Sequence, residues 1–372
     1  MQQRWKISVQ REITHDMMID ASYNGSYAPY PFTKNLSYLP AQYWNYANTR
    51  SSTTDAAMTV AVPNPFNTAL ASLQTSNATL YNYLSSLSWF TSKTLQAQQL
   101  LRAYPNAGGG LQEASGFRAK NVYHDVELLF QKRFSKGFQS SVAYTRQFAR
   151  QQWQPNQFDQ SLAWQPSTTA RPNRLVWTAV WELPFGRGRQ WLKHGPLQHV
   201  VGGWQLSWIY QYQTGPMLNF GNVFYYGSVD QVVAALNHDK VHSQNIHQWL
   251  DPTVAYNNVT NPADSATAPL PSGFIGFEGR TAFQPNTYQA RMFPQYVDAL
   301  RADAIRNWDT KIYRRFTLHE RLNMNFAVDM LNMTNHTQFS APNIGVTATN
   351  FGYVTGQANG ARQLQLNVRI EF

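Results

Sequence analysis

The sequence predicts an all-β fold, namely an antiparallel transmembrane β-barrel. The main evidence is a strict alternation of apolar and polar residues that recurs along the chain and is typical of strands with one apolar and one polar face. Composition agrees, because aromatic residues make up 14% and charged residues only 13% of the 372 residues. The links between the predicted strands also alternate between short and long, as the turns and loops of membrane barrels do.

The alternation defines about nine strands. Trp5, Ile7 and Val9 mark the apolar side of the first, and the last runs to the C-terminus as QLQLNVRIEF. The others lie at about 17–24, 125–131, 138–144, 175–183, 204–213, 308–316 and 322–330. A single alternating strand is a weak signal, since any half-exposed sheet produces it. Nine strands with aromatic-rich apolar faces and amide-rich polar faces favour the wall of a barrel.

The long links are predicted to be extracellular loops and the short ones periplasmic turns. The long loops are placed at about 26–116, 150–170, 216–303 and 334–359. In this orientation the first strand starts outside and the strand number is odd, whereas bacterial single-chain barrels have an even number. We therefore expect residues 1–372 to be the C-terminal portion of a larger outer-membrane barrel, with the signal peptide and first strands absent. An open seam or a strained closure is expected between the first and last strands.

Aromatic residues fall near the predicted strand ends, where membrane barrels carry interface girdles. The alternative is that they are ordinary core residues. The girdle is predicted to contain Phe134, Phe138, Trp181, Trp204 and Phe316 near the short turns, and Tyr144, Tyr212 and Trp308 towards the long loops.

The polar face of the predicted strands carries charged residues that are expected to face a water-filled lumen. They are Asp125, Glu127, Glu182, Asp309, Lys311, Asp329 and Arg369. Paired carboxylates are able to catalyse hydrolysis when they converge, but nothing in the sequence brings these together. Metalloprotease, P-loop and nucleophile-elbow motifs are absent as well, so the sequence predicts no enzyme and no cofactor.

The net charge of +10 permits contact with an anionic partner. The basic residues are scattered, without a basic arm or a zinc-finger spacing, so we expect no nucleic-acid partner. Outer-membrane lipid and lipopolysaccharide are simpler partners. The stretch FGRGRQW (185–191) is interpreted as a basic turn, with contact to a phosphate or a lipid headgroup as the alternative.

Metal binding has one weak pair of candidates. His238 and His242 have a spacing that places two imidazoles on one helical face, while the alternative is a polar external loop. With no second half of a ligand set nearby, and no cysteine in the chain, no metal site is predicted. The stretch 69–105 is expected to contain a helix, either packed on the rim or contacting a substrate.

Several stretches together resemble the Oar-like branch of TonB-dependent outer-membrane receptors, which carry a carboxypeptidase-regulatory-like domain. They are residues 62–66 (VPNPF), 99–105, 121–145, 170–192, 202–218, 301–322, 329–343 and the last strand. The run Ala170–Arg174 departs from the Asp-Arg-Pro-His-Arg-like run of many members. The terminal pattern of Leu366, Val368, Ile370 and Phe372 resembles the signal read by the barrel assembly machinery.

This resemblance implies the C-terminal barrel segment of an energy-coupled receptor and transporter in the bacterial outer membrane. The wall would be anchored by its apolar side, and the external loops would capture a substrate. Coupling to the TonB complex would run through an N-terminal plug that the sequence does not contain. The alternative is an outer-membrane adhesion or assembly scaffold without active transport.

Overall fold

One large antiparallel sheet dominates the computed structural model. The model describes residues 1–107, 110–159, 161–192, 194–236, 242, 245–257, 269–285, 288–319 and 321–372, with 114–118 described as backbone only. The strands are β1 Gln3–Thr14, β2 Met17–Asn35, β3 Ala61–Pro63, β4 Thr94–Gln96, β5 Gln112–Ser135, β6 Phe138–Trp153, β7 Ala163–Pro166, β8 Asn173–Glu182, β9 Trp204–Gln213, β10 Met217–Asn219, β11 Tyr225–Tyr226, β12 Ala255–Tyr256, β13 Gly276–Glu278, β14 Tyr296–Arg301, β15 Ile305–Thr317, β16 Asn323–Leu331 and β17 Gln363–Glu371. The α-helices are α1 Ser52–Thr59, α2 Pro65–Ser76, α3 Ala78–Ser85, α4 Ser88–Thr91, α5 Ala97–Leu100, α6 Leu197–Val201 and α7 Val229–Leu236.

The large sheet follows the order of the chain. Its path is β1-β2-β5-β6-β8-β9-β15-β16-β17, with β7 paired to β6 beside it. Each of the nine alternating segments therefore forms a strand of this sheet, and the predicted all-β, antiparallel architecture is confirmed. Among the described strands, β1 and β17 each pair with one neighbour only. The seam between them is open, and the sheet is not closed into a barrel.

The register keeps the alternating residues of all strands in phase. For example, Ile7 lies opposite Tyr23, which lies opposite Val126 on the next strand. At the other edge Val328 is opposite Leu366. The sheet consequently has one mainly apolar face, here called the apolar face, and an opposite polar face. Single charged residues such as Arg146 and Arg314 share the register of the apolar face. Because the side-chain period is two, a slip of one residue anywhere would exchange the faces.

The connections separate into two ends of the sheet. At the short-turn end lie residues 15–16, 136–137 and 318–322, together with the longer link 183–203. At the long-loop end lie the connections 36–111, 154–172, 214–304 and 332–362. No helix among the described residues is long and apolar enough to span a membrane.

Three of the four predicted loop boundaries need clear correction. Pairing of β2 with β5 continues to Asn35 and Gln112, so the first loop is 36–111 and not 26–116. The register shifts around Phe32 explain the error, because bulges interrupt the alternation. In the second loop β6 reaches Trp153, and β7 pairs with it. The fourth loop begins and ends two or three residues further out, at 332 and 362. The third, 214–304, differs least from the predicted 216–303.

The helix expected in 69–105 is present as a series of short helices. Side chains of Asn64 and Asn77 cap α2 and α3 by accepting from backbone N–H groups near each helix start. Proline at the first position of α2 fits the helix geometry there.

The main hydrophobic core lies in the connections and not in the sheet. Residues of 214–304 and 332–362 bury a shared cluster that contains Phe220, Phe277, Phe293, Leu236 and Phe351. The connection 36–111 packs on them through a smaller cluster of Leu39, Met58 and Tyr288. We call these three connections the loop assembly. It forms a packed body at the long-loop end of the sheet.

Candidate functional site

The polar face brings part of the predicted charged set together. Lys311 lies opposite Ser207 on one side and Asp329 on the other. Asp309, on the same strand as Lys311, lies opposite Ile209. These three charged residues therefore form one group in the middle of β9, β15 and β16.

Neighbouring polar groups compensate the charges of this group. Lys311 Nζ is 3.2 Å from Asp329 Oδ1, and Asn367 Nδ2 donates to Asp329 Oδ2 at 2.6 Å. Asp309 accepts from Asn307 Nδ2 at 2.9 Å and from the backbone N–H of Asn332 at 2.8 Å. Both side chains of the Lys311–Asp329 pair remain partly exposed, so this face is hydrated and charge-balanced.

The remaining predicted polar residues lie apart from this group. On β5, Asp125 accepts from Asn24 at 2.7 Å and Glu127 from Ser22 at 3.2 Å. Glu182 pairs with Arg189 in the link 183–203 at the short-turn end. Arg369 lies 3.4 Å from Glu371 on its own strand. All seven have the register of the polar face, but they do not converge on one point.

A cavity of about 540 Å³ lies on the polar face. The side chains of its lining that have polar-face register include Gln139, Ser141, Thr178, Ser207, Lys311, Asp329 and Gln365. Val180, Ile209 and Leu331 contribute apolar side chains to the same lining, so the wall of the cavity is mixed in polarity. The cavity is large enough for a small molecule, since ligand pockets have volumes of roughly 300–1,000 Å³.

The predicted girdle aromatics form two groups on the apolar face. Phe134 is the exception, because it lies where the register of β5 and β6 shifts, and its side chain is half-exposed. At the short-turn end Phe138 lies opposite Trp181, and Trp204 meets Phe316 edge to face with ring centroids 6.4 Å apart. Towards the long-loop end are Tyr144, Tyr212 and Trp308. Their place at a membrane interface stays a prediction.

An aromatic cluster that the sequence did not predict lies in the middle of the apolar face. Trp177 and Trp208 pack perpendicularly at 5.1 Å, and Trp177 Nε1 donates to Ser140 Oγ at 3.0 Å. Ser140 lies directly opposite Ala179. These small residues leave room for the large rings, and their shared register was a signal that could have shown the cluster.

The terminal strand presents its apolar residues outward. Leu366, Val368 and Ile370 lie opposite Val328, Phe326 and Met324. More than half of each of Leu366, Val368 and Ile370 is nevertheless exposed. Phe372, just past β17, is fully exposed. The recognition of this strand by the assembly machinery remains a prediction.

The predicted histidine pair is only partly described. His238 lies outside the described residues. The ring of His242 packs against Trp249 at 4.9 Å and Phe339 at 5.2 Å, and its Nδ1 is 3.2 Å from the carbonyl oxygen of Gln248. The part of the chain that the model describes contains no group of three or more His, Asp or Glu residues suited to a metal ion.

The loop assembly also contains a buried ion pair that the sequence did not predict. Arg280 Nε and Nη2 donate to the two carboxylate oxygens of Glu278 at 2.9 and 2.8 Å, and only 6% and 2% of the side chains are exposed. Tyr226 donates its hydroxyl to Glu278 at 3.1 Å. Burial, together with the Glu278 charge, raises the pKa of Tyr226 to about 12. The short spacing Glu-Gly-Arg gives no sequence sign of this burial.

A large antiparallel sheet with an exposed apolar face and a polar, charge-balanced face defines a β-barrel protein of the outer membrane. The chain belongs to the outer membrane β-barrel domain family, whose model matches residues 1–365. The protein is accordingly located in the outer membrane.

The solved structures that match this chain include three with low sequence identity. The outer membrane transporter YddB from Escherichia coli has a TM-score of 0.38 at 11% identity, over 100% of this chain and 32% of that one. FpvA of P. aeruginosa, bound to heterologous pyoverdines, has a TM-score of 0.37 at 10% identity, over 100% and 27%. The FpvAI–pyocin S2 complex has 0.35 at 11%, over 100% and 26%. The chain thus spans about a third or less of these proteins. No curated protein matches it.

Proposed function

We propose that the chain is the barrel segment of an Oar-like, TonB-dependent receptor that takes up a substrate across the outer membrane. The observation that carries this proposal is the cavity of about 540 Å³ on the polar face, with its balanced Lys311–Asp329 pair. A barrel that serves only as an anchor needs an apolar outer face, but it has no need of a cavity on its polar face. A conduit wall needs both.

The loop assembly supports the capture of substrate in the same proposal. Its hydrophobic cluster packs described residues of the connections 214–304 and 332–362 together, and binding loops that are pre-ordered lose less entropy when they take a ligand. Energy would come from the TonB complex through a plug in an N-terminal region. The apolar face would contact outer-membrane lipid and lipopolysaccharide, and the terminal strand would be read by the barrel assembly machinery.

The proposal includes no catalytic step, no cofactor and no nucleic-acid partner. Asp309 and Asp329 both accept hydrogen bonds from amide groups, and Asp329 also faces Lys311. Incubation with chromogenic glycosides and esters should give no turnover.

Uptake by the full-length gene product tests the main proposal. Strains with and without the gene are grown on a panel of ferric chelates, oligosaccharides and peptides as limiting nutrients. We expect at least one nutrient to support growth only when both the gene and a functional TonB are present. If loss of TonB leaves growth on every nutrient unchanged, energy-coupled uptake is contradicted.

Adhesion or scaffolding is the second proposal, because the loop assembly exposes aromatic side chains. Tyr83 is 65% exposed and Tyr104 50% exposed, and tyrosine is common in protein-binding surfaces. Attachment of cells to a surface or to other cells should then survive the loss of TonB. A strain lacking TonB that loses both attachment and growth supports the transporter instead.

A further inference from the structure

The helix α6 lies on the apolar face of the sheet at its short-turn end. Trp204 and Arg314, which hold it, lie opposite each other with apolar-face register. Trp204 Nε1 donates to the carbonyl oxygen of Val200 at 2.9 Å. The two terminal nitrogens of Arg314 donate to the carbonyl oxygens of Val200 and His199. The link 183–203 therefore folds back over the side of the sheet and does not project away from it.

The contact accounts for an arginine on an apolar surface. Only 9% of Arg314 is exposed, and its guanidinium lies 4.2 Å from the ring centre of Phe316 and 5.4 Å from that of Trp204. The last carbonyls of a helix have no partner within the helix, so those of α6 are available to the charge. The free-energy cost of an arginine on a lipid-facing surface is lowest near the membrane interface. The short-turn end of the sheet, where α6 covers Arg314, is the end nearest to that interface.

Close backbone packing fixes the position of α6. A Cβ atom on Gly202 would come within 2.5 Å of the Gln198 carbonyl oxygen and 2.9 Å of Gly186 Cα. Gly186 has a φ of +97°, a conformation that favours glycine. The rings of Phe185 and Trp191 pack at 5.7 Å on the other side of this turn. The stretch predicted as a basic turn is thus an ordered platform beneath the helix.

The free side of α6 is apolar, and its surroundings are cationic. Leu197 is 59% exposed and Val200 65% exposed, and residues three apart lie on one side of a helix. Trp191 in the same link is 53% exposed. In sequence the link 183–203 contains Arg187, Arg189 and Lys193 and has no Asp or Glu. Only Arg189 is paired with a carboxylate among the described residues of the link.

We propose that the link 183–203 is an interfacial lipid anchor for the leaflet at the short-turn end. Leu197 and Val200 enter the boundary between headgroups and acyl chains, and Arg187, which is exposed, contacts the phosphates of anionic phospholipid. Two observations select this occupant. The exposed apolar side chains continue the apolar face that meets lipid in an outer-membrane barrel, and basic residues beside an apolar patch are attracted to anionic headgroups. The inference rests on the membrane location and is independent of transport.

Spin labelling tests the anchor, because the chain has no cysteine. The full-length protein with Val200→Cys carries a nitroxide in vesicles of phosphatidylethanolamine and phosphatidylglycerol. We expect the label to collide often with oxygen and to lose most collisions with a water-soluble nickel chelate. Tyr83→Cys, which is equally exposed in the loop assembly, is the matched control and should collide freely with the chelate. Equal chelate collisions at both positions overturn the proposal.

A second experiment tests the contact with the phospholipid headgroups. Replacing phosphatidylglycerol by phosphatidylcholine, or introducing Arg187→Gln, should raise the chelate collisions of the label at position 200. If the label stays protected and insensitive to both changes, the apolar insertion stands and the anionic-headgroup contact is overturned. Heat-modifiable migration in gels checks that each labelled variant has assembled.

Discussion

At the scale of single residues, the most demanding environment is that of the Glu278–Arg280 pair. Both side chains are almost fully buried, and Arg280 also lies over the ring of Phe283 at 4.3 Å. Gln284 closes the turn by donating to the carbonyl oxygens of Glu278 and Arg280. Buried charges persist only when they are paired and hydrogen-bonded, so each partner depends on the other.

Replacing one partner of this pair should destabilise the loop assembly. We expect Glu278→Gln to cost about 3–5 kcal/mol, because it leaves a buried guanidinium without its counter-charge. The measurement is the rate at which an added protease cleaves the connection 214–304 in intact cells. The exposed pair Glu12–Arg133 supplies the control, since Glu12→Gln should leave the rate unchanged. Equal rates in the two variants would show that the buried pair contributes little.

Tyr226, which lies beside this pair, should lose its proton at a higher pH than an exposed tyrosine does. The pKa of Tyr226 is raised from 10.0 to about 12, first by burial and then by the Glu278 charge. A raised folded-state pKa favours the protonated form, so its stabilising contribution is complete below pH 10 and is lost between pH 10 and about 12. The difference in tyrosinate absorbance between the parent and Tyr226→Phe measures this transition. A midpoint at pH 10 contradicts the burial of the hydroxyl.

At the scale of elements, alternation predicted the strands well where one face of a strand is mainly apolar. It worked for β17, whose Leu366 and Val368 remain in phase with β16 to the end. It failed beyond Gly25 in β2, where Pro29 and Pro31 and the bulges break the pattern. It also missed β7, since four residues are too few to show a period.

The two faces of β17 should respond differently to the same substitution. Val368 belongs to the apolar face and Asn367, its neighbour, to the polar face opposite Ala327. Val368→Lys should cost up to about 2–4 kcal/mol, which is the cost of lysine at the middle of the bilayer, and should reduce the assembled, heat-modifiable fraction. Asn367→Lys is the matched control and should assemble normally, because it places the ammonium beside Asp329. Similar assembly of both variants would falsify the assignment of faces.

At the scale of the whole molecule, the sheet and the loop assembly are stabilised in different ways. The sheet relies on backbone pairing between long strands and leaves its apolar face exposed. The loop assembly buries large side chains like a small soluble domain, with Phe277 and Phe293 completely inaccessible. In a membrane, lipid replaces the packed core that the sheet lacks.

Damage to the loop core should therefore leave the sheet assembled. Phe277→Ala should cost about 3–5 kcal/mol locally, because it opens a cavity in a closely packed cluster. We expect faster proteolysis of the long connections in intact cells together with unchanged heat-modifiable migration. Phe148→Ala, at a side chain 53% exposed, provides a control that alters neither property. Loss of heat-modifiable migration in Phe277→Ala would instead mean that the two parts fold as one unit.

Part of the candidate site was predictable and part was not. Register follows from a period of two, so the face occupied by Lys311, Asp329 and Arg369 could be read from the sequence. The grouping of Lys311 with Asp329 and Asp309 could not, because it depends on which strands are neighbours and by how many residues they are offset. The predicted histidine pair shows the same limit, since His242 packs on Trp249 and Phe339, residues that alternation does not relate.

The strand content, the order of short and long links and the character of the two faces follow from the amino-acid sequence alone, because they depend on local periodicity and on residue type. Three other features emerge from the folded chain and not from the sequence. The long connections share one hydrophobic core, Glu278 and Arg280 are buried together, and α6 covers Arg314 on the apolar face. Each of these joins parts of the chain whose contacts depend on loop paths. Loop paths are set by long-range packing, which leaves no period in the sequence to read.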